Sequence, residues 1–222
     1  MVEDNNLREQ RTEVRIIVSI IVILIIVLFI LIYNFPKYKK VKVENHEYNV
    51  IDLHNKQNDL LTSAKLLAKI NERINVYIDY MIKTYGRHNK LVANMIKRYN
   101  PDTLYEQIPS FIDKNVAFTT SKGKDIKLCL RQVYRDKTKM HDINTLMYVM
   151  LHELSHLATN AKQHPREFWG TFKFVLATAV DAGVYEAVDY RHNPVMYCNG
   201  MNITYNPLFD ANLVAVDGGG QM

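Results

Sequence analysis

Residues 142–169 read DINTLMYVMLHELSHLATNAKQHPREFW, and this stretch decides the fold. Leu146, Met147, Val149, Met150 and Leu151 are apolar on nearly every side, which predicts a buried helix. Asp142 is a suitable N-cap and Asn160 a suitable end, so the helix is expected over 142–159. Pro165 opens a further helix to about residue 182, where Gly183 interrupts it.

His152 and His156 stand at i and i+4 of the first helix and share one face. Two His and a Glu on a buried helix are costly unless something satisfies them, and a metal ion does. Neutral imidazole suits Zn²⁺, which commonly takes three protein ligands in a catalytic site and activates a water there. Glu153 points about 100° away from the His face. It is expected to be the general base rather than a ligand. The third ligand is expected to be His164, which a short loop after Asn160 can return to the metal. His192, Asp181, Glu186 and Asp189 are its competitors.

Working outward, residues 57–85 carry apolar residues at helical spacing and stop at Gly86. A shorter helix is expected over 89–99, followed by a loop, PDTLYEQIPS. Residues 115–131, NVAFTTSKGKDIKLCLR, alternate around an SKGK turn and predict a hairpin. Residues 195–205, VMYCNGMNITY, place Asn199-Gly200 between two apolar runs, the signal of a type I′ hairpin. Residues 35–56 read as a polar tether and 206–222, ending GGGQM, as a mobile tail.

Residues 16–33, IIVSIIVILIIVLFILIY, contain no charge. At about 1.5 Å rise they reach roughly 27 Å, close to the hydrocarbon thickness of a bilayer. The run is too long for a signal-peptide core, and no small-residue cleavage site follows it. A transmembrane helix over 16–34 is expected, behind a polar tail of 1–15. Lys37, Lys39, Lys40 and Lys42 after the span outnumber Arg8, Arg11 and Arg15 before it. This count leans toward a cytoplasmic domain.

Net charge is +5 over 222 residues. That excess is mild and does not by itself call for nucleic acid. Two cysteines exclude a disulfide-rich scaffold and any Cys₄ zinc finger. Cys129 and Cys198 read as buried thiols in apolar strands. Arg131 reads as the partner of a carboxylate within the fold, with substrate steering as the alternative. Tyr185, Tyr190 and Tyr197 are candidates to donate to a developing oxyanion. Asn202-Ile203-Thr204 is a glycosylation sequon, meaningful only if the domain faces a lumen.

The stretch 119–169 resembles the WLM family of zinc metallopeptidases, relatives of the SprT-like proteases. Three pieces carry the likeness: Ser121-Lys122-Gly123-Lys124 with the strand ending Leu130-Arg131, the helix Leu151-His152-Glu153-Leu154-Ser155-His156, and His164 with Phe168-Trp169. The interval from His156 to His164 is eight positions, two longer than the family's usual gap, and loop closure absorbs such an excess cheaply. The resemblance also suggests a membrane-anchored form from a large DNA virus.

It implies an α+β chain: one N-terminal transmembrane helix, then a zincin-like domain over 57–205 with a small antiparallel sheet. The implied activity is a membrane-anchored zinc endopeptidase with His152, His156 and His164 on Zn²⁺, acting on a protein near the membrane. Direct nucleic-acid binding is not expected, because no separate binding module is evident. The competing reading is a structural membrane or virion protein that keeps the fold for protein binding. A complete HExxH argues against it.

Overall fold

The computed structural model describes residues 2–34, 37–52, 57–108, 117–119, 125–132, 139–161, 163–198 and 200–219. The chain divides into two units, Met1–Lys37 and Tyr38–Met222.

The first unit is one helix, α1 (Val2–Asn34). Its segment Thr12–Ile30 is long and apolar enough to cross a membrane, and none of it is buried. Among the described residues it is the single such helix.

The second unit begins with β1 (Lys37–Val43) and β2 (His46–Asp52). Two helices follow, α2 (Gln57–Tyr85) and α3 (Lys90–Arg98). Three short strands come next: β3 (Leu104–Glu106), β4 (Ala117–Thr119) and β5 (Ile126–Leu128). Then come α4 (Ile143–Thr159), α5 (Arg166–Asp181) and the ribbon β6 (Val195–Tyr197) and β7 (Met201–Ile203).

The first five strands form one sheet in the order β1-β2-β3-β5-β4. β3 runs parallel to β2 and to β5, and only β4 pairs antiparallel with β5 among the pairs whose register is defined. The sheet is therefore mixed, not antiparallel as expected. The long connection through α2 and α3 makes the parallel pairing of β2 with β3 possible.

Two stretches differ from expectation. Residues 37–52, expected within the tether, supply β1 and β2, and Tyr48, Val50 and Ile51 are buried. Leu104–Glu106, expected in a loop, is the central strand. The reason lies in a buried ion pair. Arg131 Nε donates to Glu106 Oε1 at 2.7 Å, both side chains being at most 1% exposed. The other Glu106 oxygen accepts from the Ile51 backbone N–H at 2.9 Å, and Arg131 donates to Ser63 Oγ at 2.8 Å. A carboxylate that looks unsuited to a core strand is fully satisfied there. Arg131 has the structural role expected of it.

α2 buries Leu60, Ala64, Leu67, Ile70, Ile74, Tyr77 and Met81, a stripe at i+3 and i+4 steps. α4 is buried almost all round. Asp142 caps it, accepting from the Thr145 N–H at 2.9 Å. Its last carbonyls are claimed by α3: Asn94 donates to Ala158 O at 2.7 Å and Arg98 to Leu157 O at 2.6 Å. α5 lays Phe168, Phe172 and Leu176 into the core.

The cysteines correct a further expectation. They are not free thiols but a disulfide, Cys129–Cys198, with Cα atoms 5.6 Å apart. It joins the end of β5 to the β6–β7 ribbon across 69 positions of sequence. That distance is bridged only in the fold. The ribbon is present as expected, but Tyr197 pairs with Met201, leaving three residues in its turn. Cys198 and Gly200 both have positive φ there; Asn199 and the SKGK turn lie outside the described residues.

The C-terminal segment, expected as a mobile tail, is held. Val216 N–H donates to Gly170 O at 3.1 Å, and Lys173 donates to Asp210 O and Leu213 O. A Cβ on Gly170 would stand 2.7 Å from Val214 O. The glycine makes this close approach possible. Residues 220–222 of the expected tail lie outside the described residues.

Candidate metal centre

The helical register of α4 sets His152 and His156 on one face, and the turn after α4 brings the third ring to them. Asn160 adopts the left-handed conformation, φ 60° and ψ 18°, and its N–H closes on His156 O at 2.9 Å. Asn is among the few residues that take this conformation cheaply. The chain reverses, and His164 Nε2 arrives 2.9 Å from His152 Nε2 and 3.2 Å from His156 Nε2.

These three rings form a group able to hold a metal ion, their ligand atoms all within 4.8 Å of one another. A ring nitrogen carries one proton or one lone pair, so His164 Nε2 can hydrogen-bond only one of its two neighbours. The other contact is an unpaired approach that a cation would relieve. Tetrahedral zinc with Zn–N of about 2.0–2.1 Å needs nitrogens about 3.3 Å apart, close to the spacing seen. The tautomer also suits: His156 Nδ1–H donates to Ala161 O at 2.7 Å, leaving Nε2 with its lone pair. Burial pushes His152 down to about 3, with the neighbouring His156 and His164 adding repulsion to a proton. Burial also lowers His156 and His164. Each of these shifts favours the neutral ring, the form a metal requires.

Aromatic rings hold this triad in place. Phe168 stacks on His156 with centroids 4.2 Å apart, and Phe172 meets His152 edge-on at 5.1 Å. Glu153 is 3% exposed and lines a cleft of about 360 Å³ together with His152 and His164. The fold thus brings together Glu153 and the three His that the sequence singles out.

The competitors lie elsewhere. His192 Nδ1 pairs with Asp189 at 2.8 Å on an exposed loop. The Glu186 backbone is clamped by Asn144, and Asp181 is exposed at the end of α5. The three tyrosines considered for an oxyanion are core residues, each at most 3% exposed. Tyr197 instead accepts the Cys129 N–H at 3.0 Å, and none of the three lines the cleft.

Two other tyrosines do line it, Tyr148 and Tyr205, along with Trp169 and the strand β7. No periodicity marks them, because the wall they form is assembled by tertiary contact. The disulfide sets one end of that wall: Cys198 N–H donates to His141 Nε2 at 3.0 Å, so the ribbon is tied both to β5 and to the approach of α4. Asn202 of the sequon is exposed on β7 and lines the cleft, so a glycan there would obstruct it.

Residues 46–189 match the WLM domain, a domain linked to zinc-dependent peptidases. An uncharacterized protein of Acanthamoeba polyphaga mimivirus is 35% identical over 164 residues, 72% of this chain and 79% of that protein. An uncharacterized protein of Invertebrate iridescent virus 6 is 33% identical over 70 residues, 32% of this chain and 39% of the relative. Origin in a large DNA virus is plausible on this basis. No solved structure matches the chain.

Proposed function

The chain belongs to the WLM family, and from that premise we propose that it is a membrane-anchored zinc endopeptidase. The observation that carries the reading is the convergence of three imidazole nitrogens beside a buried glutamate in an open cleft. His152, His156 and His164 would hold the ion. Zinc, when bound, polarises a carbonyl and lowers the pKa of water.

The remaining steps belong to the protein. Glu153 accepts a proton from the attacking water and returns it to the leaving amine as the peptide bond breaks. Ala161 O and the Phe168 ring keep His156 in one tautomer and one orientation. The cleft is open at the surface, which suits a polypeptide passing through rather than an enclosed small molecule.

Segment 16–34 would anchor the enzyme in a bilayer, restricting it to proteins near that membrane. The disulfide favours a domain on an oxidising face or at a virion surface. We place it there, against the weak lean of the lysine count.

The test is cleavage of an unfolded protein by the zinc-loaded full chain in detergent. Cleavage that disappears in Glu153→Gln supports the proposal. A zinc-loaded chain that leaves the substrate intact sinks it and favours a structural role.

A further inference from the structure

One wall of the cleft has a composition that the zinc chemistry does not explain. Trp169 comes from α5; Met201 and Ile203 come from β7; Tyr205 follows it. Tyr148 and Val149 of α4 also line the cleft. Among the described residues, Glu153 is the single carboxylate that lines the cleft, and no Lys or Arg lines it. The two tyrosine hydroxyls are already engaged inside the protein. Tyr148 O–H donates to Tyr205 O at 2.6 Å, and Tyr205 O–H donates to Asp210 at 2.9 Å. What the four residues Trp169, Met201, Ile203 and Tyr205 leave for an incoming group is ring surface and aliphatic surface, with Asn202 and Thr204 the neutral polar residues between them.

The wall is also held, not floppy. The disulfide fixes β6–β7 at Cys198. Trp169 packs edge-on against Tyr205 with centroids 5.3 Å apart. Met201 stays 42% exposed, an apolar side chain presented to solvent at the rim. Methionine adapts its shape to different apolar partners. The β7 wall follows the matched WLM stretch, which ends at residue 189.

We propose that Trp169, Met201, Ile203 and Tyr205 form a specificity subsite for a large uncharged side chain, of the Leu, Phe or Met kind, next to the scissile bond. The inference rests on the peptidase reading for the words "scissile bond", but not for the binding preference. A charged side chain would lose its hydration against these four residues, none of which offers it an opposite charge. Each missing methylene in an apolar pocket costs about 10–200-fold in discrimination. Leu or Phe should therefore exceed Ala by at least about 10-fold.

Trp169 is the sole tryptophan of the chain, so its fluorescence reports occupancy of this wall without any turnover. The test uses the full chain in detergent with zinc and Glu153→Gln, titrated with blocked tetrapeptides differing at one position: Leu, Phe, Ala, Asp or Lys. The Leu and Phe peptides should shift Trp169 emission and saturate at concentrations at least about 10-fold below the Ala peptide. The Asp and Lys peptides should not saturate. Met201→Asp should abolish the Leu preference and favour Lys; Met201→Ala should weaken Leu binding without favouring Lys.

Equal binding of all five peptides, or none, overturns the subsite, as does an unchanged ranking in Met201→Asp. The wild-type chain is then run on an unfolded protein. Cleavage with no residue preference would remove the subsite and leave the peptidase. The fluorescence preference without cleavage would remove the peptidase and leave the binding wall.

Discussion

His156 Nδ1 donates to the carbonyl of Ala161 at 2.7 Å, five residues further along the chain. The bond depends on Asn160, whose left-handed backbone folds the Ala161 carbonyl back under the ring. One residue therefore ends the helix, fixes the tautomer of His156 and aims His164 at its partners.

Asn160→Val should expose that dependence. A β-branched residue at φ 60° costs about 1–2 kcal/mol in the left-handed region. Loss of such support around a ligand typically costs about 10–100-fold in metal affinity. Asn160→Gly, which adopts the conformation freely, should keep zinc affinity near wild type. Competition with a chromophoric chelator measures both.

Reducing the Cys129–Cys198 bond should lower stability. Closing a loop of 69 positions corresponds to roughly 4 kcal/mol in the chain-entropy account. Because the ribbon forms a cleft wall, Trp169 emission should change on reduction as well. Thermal melting with and without reductant, beside a Cys129→Ser/Cys198→Ser variant, checks this. A melting temperature indifferent to reductant contradicts it.

Arg131→Ala should be far more damaging than its distance from the cleft suggests. It strands Glu106, whose side chain is 0% exposed. Breaking a buried pair on one side costs about 3–5 kcal/mol. Replacing both partners, Arg131→Met with Glu106→Leu, should recover much of the loss. Denaturant unfolding of the single and double variants decides between an ion-pair role and a packing role.

Much of this is legible in the residues themselves. The helices α2, α4 and α5 follow from apolar spacing, and Asp142 and Asn160 mark the ends of α4 by residue type and position. The grouping of the four candidate residues follows from i, i+4 geometry and one short return loop. What escapes such reading has a common physical character. Strand β3 has three residues, too few for a period, and its Glu106 finds its partner 25 positions away. β1 carries Lys at four of its seven positions, β2 mixes Glu47 and Asn49 with its apolar residues, and the burial of β2 is created by α2 and β3. The disulfide and the aromatic wall depend on contacts between distant segments, which spacing along the chain does not encode.

Acid should weaken the metal-free fold. Burial holds His152 near a pKa of about 3, against about 6.5 when unfolded. The folded value lies below the unfolded one, so the unfolded chain binds the proton more readily. The His152 contribution is therefore constant above about pH 6.5 and is lost as pH drops from there toward 3. The lowered values of His156 and His164 act in the same direction. Melting of the chelator-treated chain across pH 4–8 should show this decline. Zinc retention should fall over the same window, since protons compete for the ligand nitrogens.

The most direct measurement is zinc content of the purified full chain beside His164→Ala and Glu153→Gln. The wild type and Glu153→Gln should each hold about one zinc per chain, by the three-ligand logic, while His164→Ala loses most of it. Hydrolysis should fall by about 10²–10⁴-fold in Glu153→Gln from loss of the base alone. A folded wild-type chain that takes up no zinc, or a His164→Ala variant that keeps it fully, would contradict the account.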